Sequence, residues 1–385
     1  MKILFISRGY PTVLEPQWGC FERDQAIALK KMGHEIIFLS LDCRFALKHK
    51  NNKFGFQYRY QDGFHIYNYK SYIPKNLIDL FSINLSIKYY SDKLLCVFEE
   101  IIKNHGKPDI LYAHYLSNIV ISKAIKDKYK IPLVGMEHWS QINKDSLSPI
   151  VYSNGIIAYK SVNKLLVVSN ALKKRVKEHF NIDSEVVYNT IGAEFERRDI
   201  NQYKKNNFQF ISVGSLFPGK GYDVLIKAFY NSNLATKGCK LLIIGQGGEE
   251  KKLRRQIDKY QLAENITLLG RKTKNEIADY LKESHAFVLA SRGETFGVVY
   301  IEAMMFGLPV IATKCGGPEE IVNSDNGLLV AKDNVNELSD ALINMYNNVG
   351  NYNSELIARQ CYERYSPSQF AKKINKIFDE ILLLN

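Results

Sequence analysis

The chain has 385 residues, of which 46% are hydrophobic and 24% charged, and its formal net charge is +12. This length exceeds what one hydrophobic core usually organises, so two domains are expected. The composition is typical of a soluble globular protein, and no apolar run approaches the roughly 18 residues that a membrane span needs.

The cysteines predict no disulfide framework and no metal site. All six are scattered along the chain, with no Cys-x-x-Cys pair, which is typical of reduced cytosolic thiols. The opening MKILFIS predicts a first strand and lacks the long apolar region and cleavage site of a signal peptide. We therefore expect a cytoplasmic protein.

The positive charge is concentrated in the first half of the chain. Residues 1–205 hold 31 Lys and Arg against 20 Asp and Glu (+11), whereas residues 206–385 hold 21 against 20 (+1). This asymmetry favours an anionic partner, either a membrane surface or a phosphate-bearing acceptor. It could also be background composition, since Lys and Asn are abundant. No nucleic-acid motif is present, so no nucleic acid is expected.

The first elements predict a Rossmann-like half. A strand at 2–7 leads through a Gly- and Pro-containing loop to Gly19, then to a helix at about 21–32 and a strand at 35–40. The loop lacks Gly-x-Gly-x-x-Gly, which argues against a dinucleotide.

Residues 44–95 have two interpretations. Their second part, from about residue 73, predicts an amphipathic helix, and packing of that helix on its own domain is the favoured interpretation. The alternative is an acceptor- or membrane-facing element carrying Lys75, Lys88 and Lys93.

Two histidines follow predicted strands of the first domain. The strands at 108–114 and 132–138 end in His114 and His138, and ligands of parallel sheets bind at the carboxyl ends of the strands. Each histidine could instead be a hydrogen-bonded structural residue. The charged, Asn-rich stretch 192–207 predicts an interdomain linker between a domain at 1–191 and a second domain at 208–365.

The second domain opens with a strand, a glycine-containing loop and a helix. Lys220 and Gly221 at the helix start would place an ammonium and free N–H groups where a diphosphate could bind. A purely structural lysine is the alternative.

The most informative stretch is 287–317, which reads as strand, loop, helix and strand, a βαβ unit. Glu294 in the loop and Glu302 in the apolar helix are separated by seven residues, about two helical turns, so both can face one side of the sheet edge. A buried glutamate is costly unless it accepts hydrogen bonds, and sugar hydroxyls are natural donors. Phe296-Gly297 lies at a helix N-terminus, which favours an anion.

This stretch resembles the donor-site signature of retaining glycosyltransferases of the GT-B fold, specifically glycosyltransferase family four. The shared pattern is Glu, seven residues and Glu, with Phe-Gly after the first Glu and a downstream Gly-Gly-x-x-Glu, here Gly316-Gly317 and Glu320. The resemblance extends over the whole chain, strongly over 208–330. A buried helix with one satisfied glutamate is the alternative.

The resemblance implies an α/β GT-B fold, with two Rossmann-like domains facing each other across a cleft and a helix at 366–385 that returns to the first domain. It also implies site residues. His138, Glu294 and Lys220 are the expected catalytic residues, and His114 and His138 are expected near the sugar and the acceptor. The expected donor-binding residues are Gly19, Lys220, Arg271, Glu294, Phe296, Gly297 and Glu302.

The roles carried over are specific. Lys220 and the helix-end N–H groups near Gly297 and Gly19 would meet the charge of the leaving group. Glu294 would orient sugar hydroxyls, Glu302 the ribose, and Arg271 would border the base. Three positions depart from the family pattern, with Cys20 in place of a second glycine, Thr190 in place of a glycine and Ser215 in place of a basic residue. Arg292 or Arg271 could substitute for that missing cation.

The expected function is transfer of a sugar, with retention, from a UDP- or GDP-sugar to a hydroxyl acceptor. The acceptor expected from the resemblance is a lipid-linked saccharide of surface polysaccharide synthesis, at the inner face of the cell membrane. No Asp-x-Asp pair occurs, so no metal cofactor is expected. The alternatives are a nucleotide-sugar epimerase on the same scaffold and a non-catalytic nucleotide-sugar-binding protein, the latter motivated by Ser215.

Overall fold

Two sheets organise the chain, one in each of two units. The computed structural model describes residues 1–13, 15–42, 54–72, 82–196 and 207–384. The first unit comprises Met1–Asn189 and Phe370–Asn385, and the second comprises Thr190–Gln369. The predicted boundary at 191 and the predicted linker at 192–207 lie close to this division, but residues 197–206 of that linker are outside the described residues.

The sheet of the first unit has the strand order β3-β4-β2-β1-β5-β6-β7-β8. Neighbouring strands are parallel except β3 and β4, which form an antiparallel hairpin. The residues from Ile3 to Ile6 in the central strand have no exposed surface, as expected of a parallel strand covered on both faces. The strands are β1 (Lys2–Ser7), β2 (Glu35–Asp42), β3 (Gly55–Gln61), β4 (Phe64–Lys70), β5 (Ile110–His114), β6 (Leu133–Glu137), β7 (Lys164–Val167) and β8 (Glu185–Val186).

Three helices of the first unit begin at a serine. Ser82, Ser148 and Ser169 cap these helices by accepting a backbone N–H of the first turn, which satisfies a donor that a helix start leaves free. The first helix begins instead after Gly19. The helices are α1 (Cys20–Lys30), α2 (Ile83–His105), α3 (Leu116–Tyr129), α4 (Pro149–Ser161) and α5 (Asn170–Phe180), joined by most of α12 (Pro367–Leu383).

The second unit has an all-parallel sheet of order β11-β10-β9-β12-β13-β14. Its strands are β9 (Gln209–Val213), β10 (Lys240–Ile244), β11 (Ile266–Leu268), β12 (Ala286–Leu289), β13 (Val310–Lys314) and β14 (Gly327–Ala331). Its helices are α6 (Tyr222–Asn231), α7 (Glu250–Lys259), α8 (Lys274–Lys282), α9 (Val298–Met304), α10 (Val335–Asn348) and α11 (Ser354–Tyr365).

The region from 44 to 95 differs most from expectation. Its described part contains the unpredicted β3–β4 hairpin and the helix α2. Residues 73–81, where the amphipathic helix was expected to begin, lie outside the described residues. Lys75, one of the three lysines of the membrane-facing alternative, lies outside the described residues.

Among the described helices, none has both the length and the apolar character needed to cross a bilayer.

Candidate functional site

Lys220 and Glu294 form an ion pair at the carboxyl edge of the second sheet. The Lys220 Nζ lies 2.5 Å from Glu294 Oε1, and the Ser291 hydroxyl donates to the same oxygen at 2.7 Å. The Lys220 side chain is 29% exposed and that of Glu294 is 11% exposed. A ligand can therefore reach an ammonium donor and a carboxylate acceptor side by side.

The loop carrying Glu294 is fixed by backbone pairing. Glu294 N donates to Cys315 O at 3.3 Å, and Gly317 N donates to Glu294 O at 3.0 Å, so the loops after β12 and β13 are joined by a parallel bridge between Glu294 and Gly316. Two loops at the ends of adjacent strands thus hold the carboxylate in place.

Glycines begin the helices nearest these charges. Gly221 precedes α6 with φ 64° and Gly297 precedes α9 with φ 96°, a left-handed conformation that favours glycine. Neither helix has a side-chain cap within the described part of the chain. The first N–H groups of both helices are therefore available to water or to a ligand.

Arg292 is engaged in the scaffold of the Lys220 turn. Its guanidinium donates to Asp223 Oδ2 at 3.0 Å, to Asp333 Oδ1 at 2.6 Å and to the Pro218 carbonyl. The bond to Asp223 is the largest influence that raises the pKa of Arg292. The suggestion that Arg292 replaces the cation missing at Ser215 is therefore not supported, because its donors already serve two carboxylates.

The remaining donor-side residues lie on other elements of the second unit. Glu302 is buried within α9, and Phe296 is buried just before it, with its ring 5.6 Å from that of Tyr365. Arg271 follows β11 in a half-buried loop. In the Gly-Gly loop it is Glu319, one residue before Glu320, whose side chain accepts the Gly316 N–H at 3.0 Å.

In the first unit, His114 and His138 meet at the carboxyl edge of the sheet. His114 ends β5, His138 directly follows β6, and their Nδ1 and Nε2 atoms lie 3.1 Å apart. Burial, followed by the charge of Arg8, lowers the pKa of His138 to about 3. Burial and then His138 hold the pKa of His114 well below its usual value. Both rings are therefore neutral at pH 7, and each has one donor and one acceptor.

Glu137 fixes the backbone that carries His138. Its Oε1 accepts the N–H groups of His138 at 2.9 Å and Trp139 at 2.7 Å, and its Oε2 accepts the Tyr159 hydroxyl at 2.6 Å. Burial raises the pKa of this carboxyl, although the three donors act in the opposite direction. Glu137 thus positions His138 without being exposed to a ligand.

Arg8 also lies at the carboxyl edge of the first sheet. It directly follows β1, its guanidinium lies 3.8 Å from the centre of the Tyr115 ring, and its Nε donates to Glu22 Oε1 at 3.4 Å. Glu22 stands in the first turn of α1, which begins after Gly19 at φ 81°. The structure therefore adds a cation to the edge that carries the two histidines.

Sequence reasoning missed four residues of these two edges, namely Arg8, Glu22, Ser291 and Tyr159. Arg8 and Ser291 follow strands, so the rule that selected the histidines would have found them. Tyr159 lies on a helix and has no local signal. Within the described ranges, no three His, Cys, Asp or Glu side chains are arranged to hold a metal ion.

Known proteins match both units. The family model for glycosyl transferases group 1 matches residues 193–360, and that for glycosyltransferase family 4 matches residues 23–195. An uncharacterised glycosyltransferase of Methanocaldococcus jannaschii is 32% identical over 65% of this chain and 68% of its own. The amylovoran biosynthesis glycosyltransferase AmsD of Erwinia amylovora is 26% identical over 78% of this chain and 90% of its own.

Solved structures share this fold. HepE of Anabaena, solved in complex with UDP, superimposes with a TM-score of 0.72 at 19% identity, covering 99% of this chain and all of its own. The predicted α/β GT-B fold is thereby confirmed. The chain belongs to the group 1, family 4 glycosyltransferases, enzymes that transfer a sugar from a nucleotide-sugar donor.

Proposed function

We propose that the enzyme transfers a sugar, with retention at the anomeric carbon, from a UDP-sugar to a hydroxyl of a lipid-linked saccharide in surface polysaccharide synthesis. A GDP-sugar is the second choice of donor. The main observation in favour of a nucleotide-sugar donor site is the contact between Lys220 and Glu294, to which Ser291 also hydrogen-bonds. UDP is favoured because HepE was solved with UDP, and the saccharide acceptor because AmsD serves amylovoran biosynthesis.

The Lys220–Glu294 pair can bind both the phosphate oxygens and the hydroxyls of a sugar diphosphate. An ammonium donates to phosphate oxygens, and a carboxylate accepts from hydroxyls. When the donor binds, Lys220 exchanges its contact with Glu294 for the diphosphate, and Glu294 takes up sugar hydroxyls. Glu302 then accepts from the ribose, and Arg271 borders the base.

Charge on the departing diphosphate is met by fixed donors. Lys220 supplies a full charge, and the glycine-started helices at Gly221 and Gly297 supply uncapped N–H groups. Donors fixed before the reaction stabilise developing charge without reorganising. The acceptor oxygen bonds to the anomeric carbon as the bond from that carbon to the phosphate oxygen breaks, and the acceptor proton passes to the departing phosphate. Because Lys220 and the helix N–H groups meet the leaving-group charge, the transfer needs no metal ion.

In the first unit, His138 and His114 are the residues that we propose for the sugar. A neutral His138, held by Glu137, offers a hydrogen bond to a sugar hydroxyl without adding charge. His114 holds the His138 ring through the 3.1 Å contact between their nitrogens. Gly19 leaves the start of α1 open to phosphate oxygens.

The test is ligand binding followed by turnover. Melting temperatures are measured with UDP, GDP, ADP and their common sugar conjugates, with EDTA or with magnesium. A ligand that binds only the folded state raises the melting temperature. We expect a clear preference for the uridine compounds in EDTA. No shift with any nucleotide would contradict the proposal, and activity that EDTA abolishes and metal restores would contradict the metal-free transfer.

Two variants locate the site. Lys220→Met should weaken nucleotide diphosphate binding about tenfold to a hundredfold, since a hydrogen bond to a charged group contributes about 1.5–3 kcal/mol. Glu302→Ala should weaken nucleoside binding as well. The matched control is Glu264→Ala, which removes an exposed carboxylate of the same unit. If Glu302→Ala leaves both affinity and turnover unchanged, the ribose assignment is wrong.

A further inference from the structure

One face of the β3–β4 hairpin is lined by aromatic rings. Alternate residues of a strand share a face, and the register aligns aromatic residues across the two strands. The ring centres of Tyr58 and Tyr67 lie 5.0 Å apart, as do those of Tyr60 and His65. The aligned pairs are Phe56 with Tyr69, Tyr58 with Tyr67, and Tyr60 with His65.

The outer row of this face is open to solvent. Phe56 and Tyr58 are each 49% exposed and Tyr60 is 64% exposed. They lie on β3, the outermost strand of the sheet. Contiguous exposed aromatic surface on a folded protein commonly marks a binding site.

The aromatic face continues into a pocket of about 350 Å³. Phe56, Tyr58 and Tyr67 form one wall, and the last turns of α2 form the other with Glu100, Asn104 and His105. The Tyr67 hydroxyl lies 2.8 Å from His105 Nε2, and the Asn104 amide donates to Glu100 Oε1 at 2.9 Å. A network of polar groups thus borders an aromatic floor.

We propose that this pocket binds a saccharide. Ring faces carry negative charge density that attracts the C–H edge of a sugar ring. The Glu100 carboxylate and the Asn104 amide can exchange hydrogen bonds with sugar hydroxyls. Glu100 disfavours anionic ligands such as phosphate, and an entirely apolar ligand would leave both polar groups without water.

The pocket is distant from the histidine edge of the same sheet. His105 ends α2 just before β5 begins, and its carbonyl accepts from the Lys2 ammonium at the start of β1. His114 ends β5, which lies three strands from β4 in the sheet. At about 4.8 Å between neighbouring strands, Tyr67 on β4 and His114 on β5 are separated by roughly 14 Å across the sheet.

A saccharide held in the pocket is therefore not the reacting sugar. The pocket retains a distal part of a glycan acceptor, which must then be several sugar units long. This role as an acceptor subsite rests on the proposed function, whereas saccharide binding itself does not.

The experiment compares binding of maltose, chitin and mannan oligosaccharides of increasing length, measured by saturation-transfer NMR and calorimetry. The Phe56→Ala/Tyr58→Ala variant should bind the oligosaccharides at least tenfold more weakly than the wild type. Tyr58→Phe, which keeps the ring, should retain affinity. The control is Tyr230→Ala, a tyrosine of the second unit that is 48% exposed.

Nucleotide affinity and melting temperature are measured on every variant, and both should be unchanged. Oligosaccharide binding without nucleotide binding would overturn the proposed function and leave the saccharide site standing. The saccharide site is overturned if the wild type binds no oligosaccharide of the series, or if the double variant binds as well as the wild type. Loss of binding to phosphatidylglycerol vesicles in the double variant, with oligosaccharide binding intact, would assign the face to a membrane instead.

Discussion

Burial of His114 and His138 lowers the free energy of unfolding by an amount that depends on pH. Both are buried, and the cation of Arg8 lies near enough to disfavour a second positive charge in either ring. Protonation of a buried imidazole beside a guanidinium removes hydration without supplying a counter-charge. The Glu137 carboxyl hydrogen-bonds two backbone N–H groups and the Tyr159 hydroxyl rather than either imidazole ring.

Stability of the first unit should therefore fall in mild acid. Above the ordinary histidine pKa, folded and unfolded chains are both neutral at these positions, so the histidines contribute no pH dependence. Below about pH 6.5 the unfolded chain takes up protons that the folded chain refuses. The free energy of unfolding then falls by about 1.4 kcal/mol per pH unit for each histidine. For His138 the fall continues until its folded pKa of about 3.

Urea unfolding at pH 7.5, 6.5 and 5.5 measures this slope. Trp18 and Trp139, the two tryptophans of the chain, are both in the first unit, so their fluorescence reports its unfolding. His138→Gln should flatten the slope by about 1.4 kcal/mol per pH unit. Glu137 is present in both proteins, so its own titration cancels in the comparison. Equal slopes would mean that His138 is protonated in the folded state.

Single site residues could be predicted from the sequence, but their contact partners could not. Lys220 and Glu294 could be predicted because each stands next to a strand or a helix start, which local pattern reveals. Their direct contact joins positions 74 residues apart. Arg292 looked like a spare cation, yet its partners Asp223 and Asp333 are 69 and 41 residues away. Only the packed tertiary structure assigns such partners.

At the scale of elements, the βαβ unit around Glu294 was predictable and the β3–β4 hairpin was missed. The hairpin had a signal, because Asp62-Gly63 interrupts two alternating aromatic runs, a strong indicator of a tight turn. The alternation is regular in β3, where Phe56, Tyr58 and Tyr60 occupy every second position, so the pattern alone could have found this strand. The extent of α2 depends on packing against α3, β4 and β2 rather than on its caps alone.

The turn before α6 provides a test at this scale. A Cβ on Gly221 would lie 1.9 Å from the Ala290 carbonyl oxygen, and its φ of 64° strains any other residue. Gly221→Ala should destabilise the second unit by about 1–3 kcal/mol. It should also weaken nucleotide binding, because the turn that presents Lys220 must move.

Gly219→Ala is the matched control. It lies two residues away, has no positive φ, and an added Cβ would meet nothing within 4 Å. Melting followed by circular dichroism and nucleotide affinity are measured for both variants. Equal losses in the two variants would contradict the claim that close approach at Gly221 positions Lys220.

Across the whole molecule, charge and chemistry are divided between the two halves. The donor-side pair Lys220–Glu294 lies in the half whose charges nearly balance, and the excess of +11 lies in residues 1–205. Aromatic rings and neutral histidines line the described sites of that basic half. Arg8 is the cation described at the histidine edge, whereas exposed lysines of this half such as Lys88 can attract an anionic membrane while the sites bind neutral sugars.

If the basic half meets a membrane, vesicle binding should depend on lipid charge and salt. We expect cosedimentation with phosphatidylglycerol vesicles at about 0.05 M salt, loss of binding at about 0.5 M, and none with phosphatidylcholine, since screening shortens the reach of surface charges. Lys88→Glu/Lys93→Glu on α2 should weaken binding strongly. Lys251→Glu/Lys259→Glu on α7 changes the net charge equally but in the neutral half, and should have little effect.

Equal effects of the two double variants would mean that total charge, rather than α2, attracts the lipid. No binding of the wild type would contradict the membrane interpretation and leave the phosphate of a lipid-linked acceptor as the anionic partner to test next.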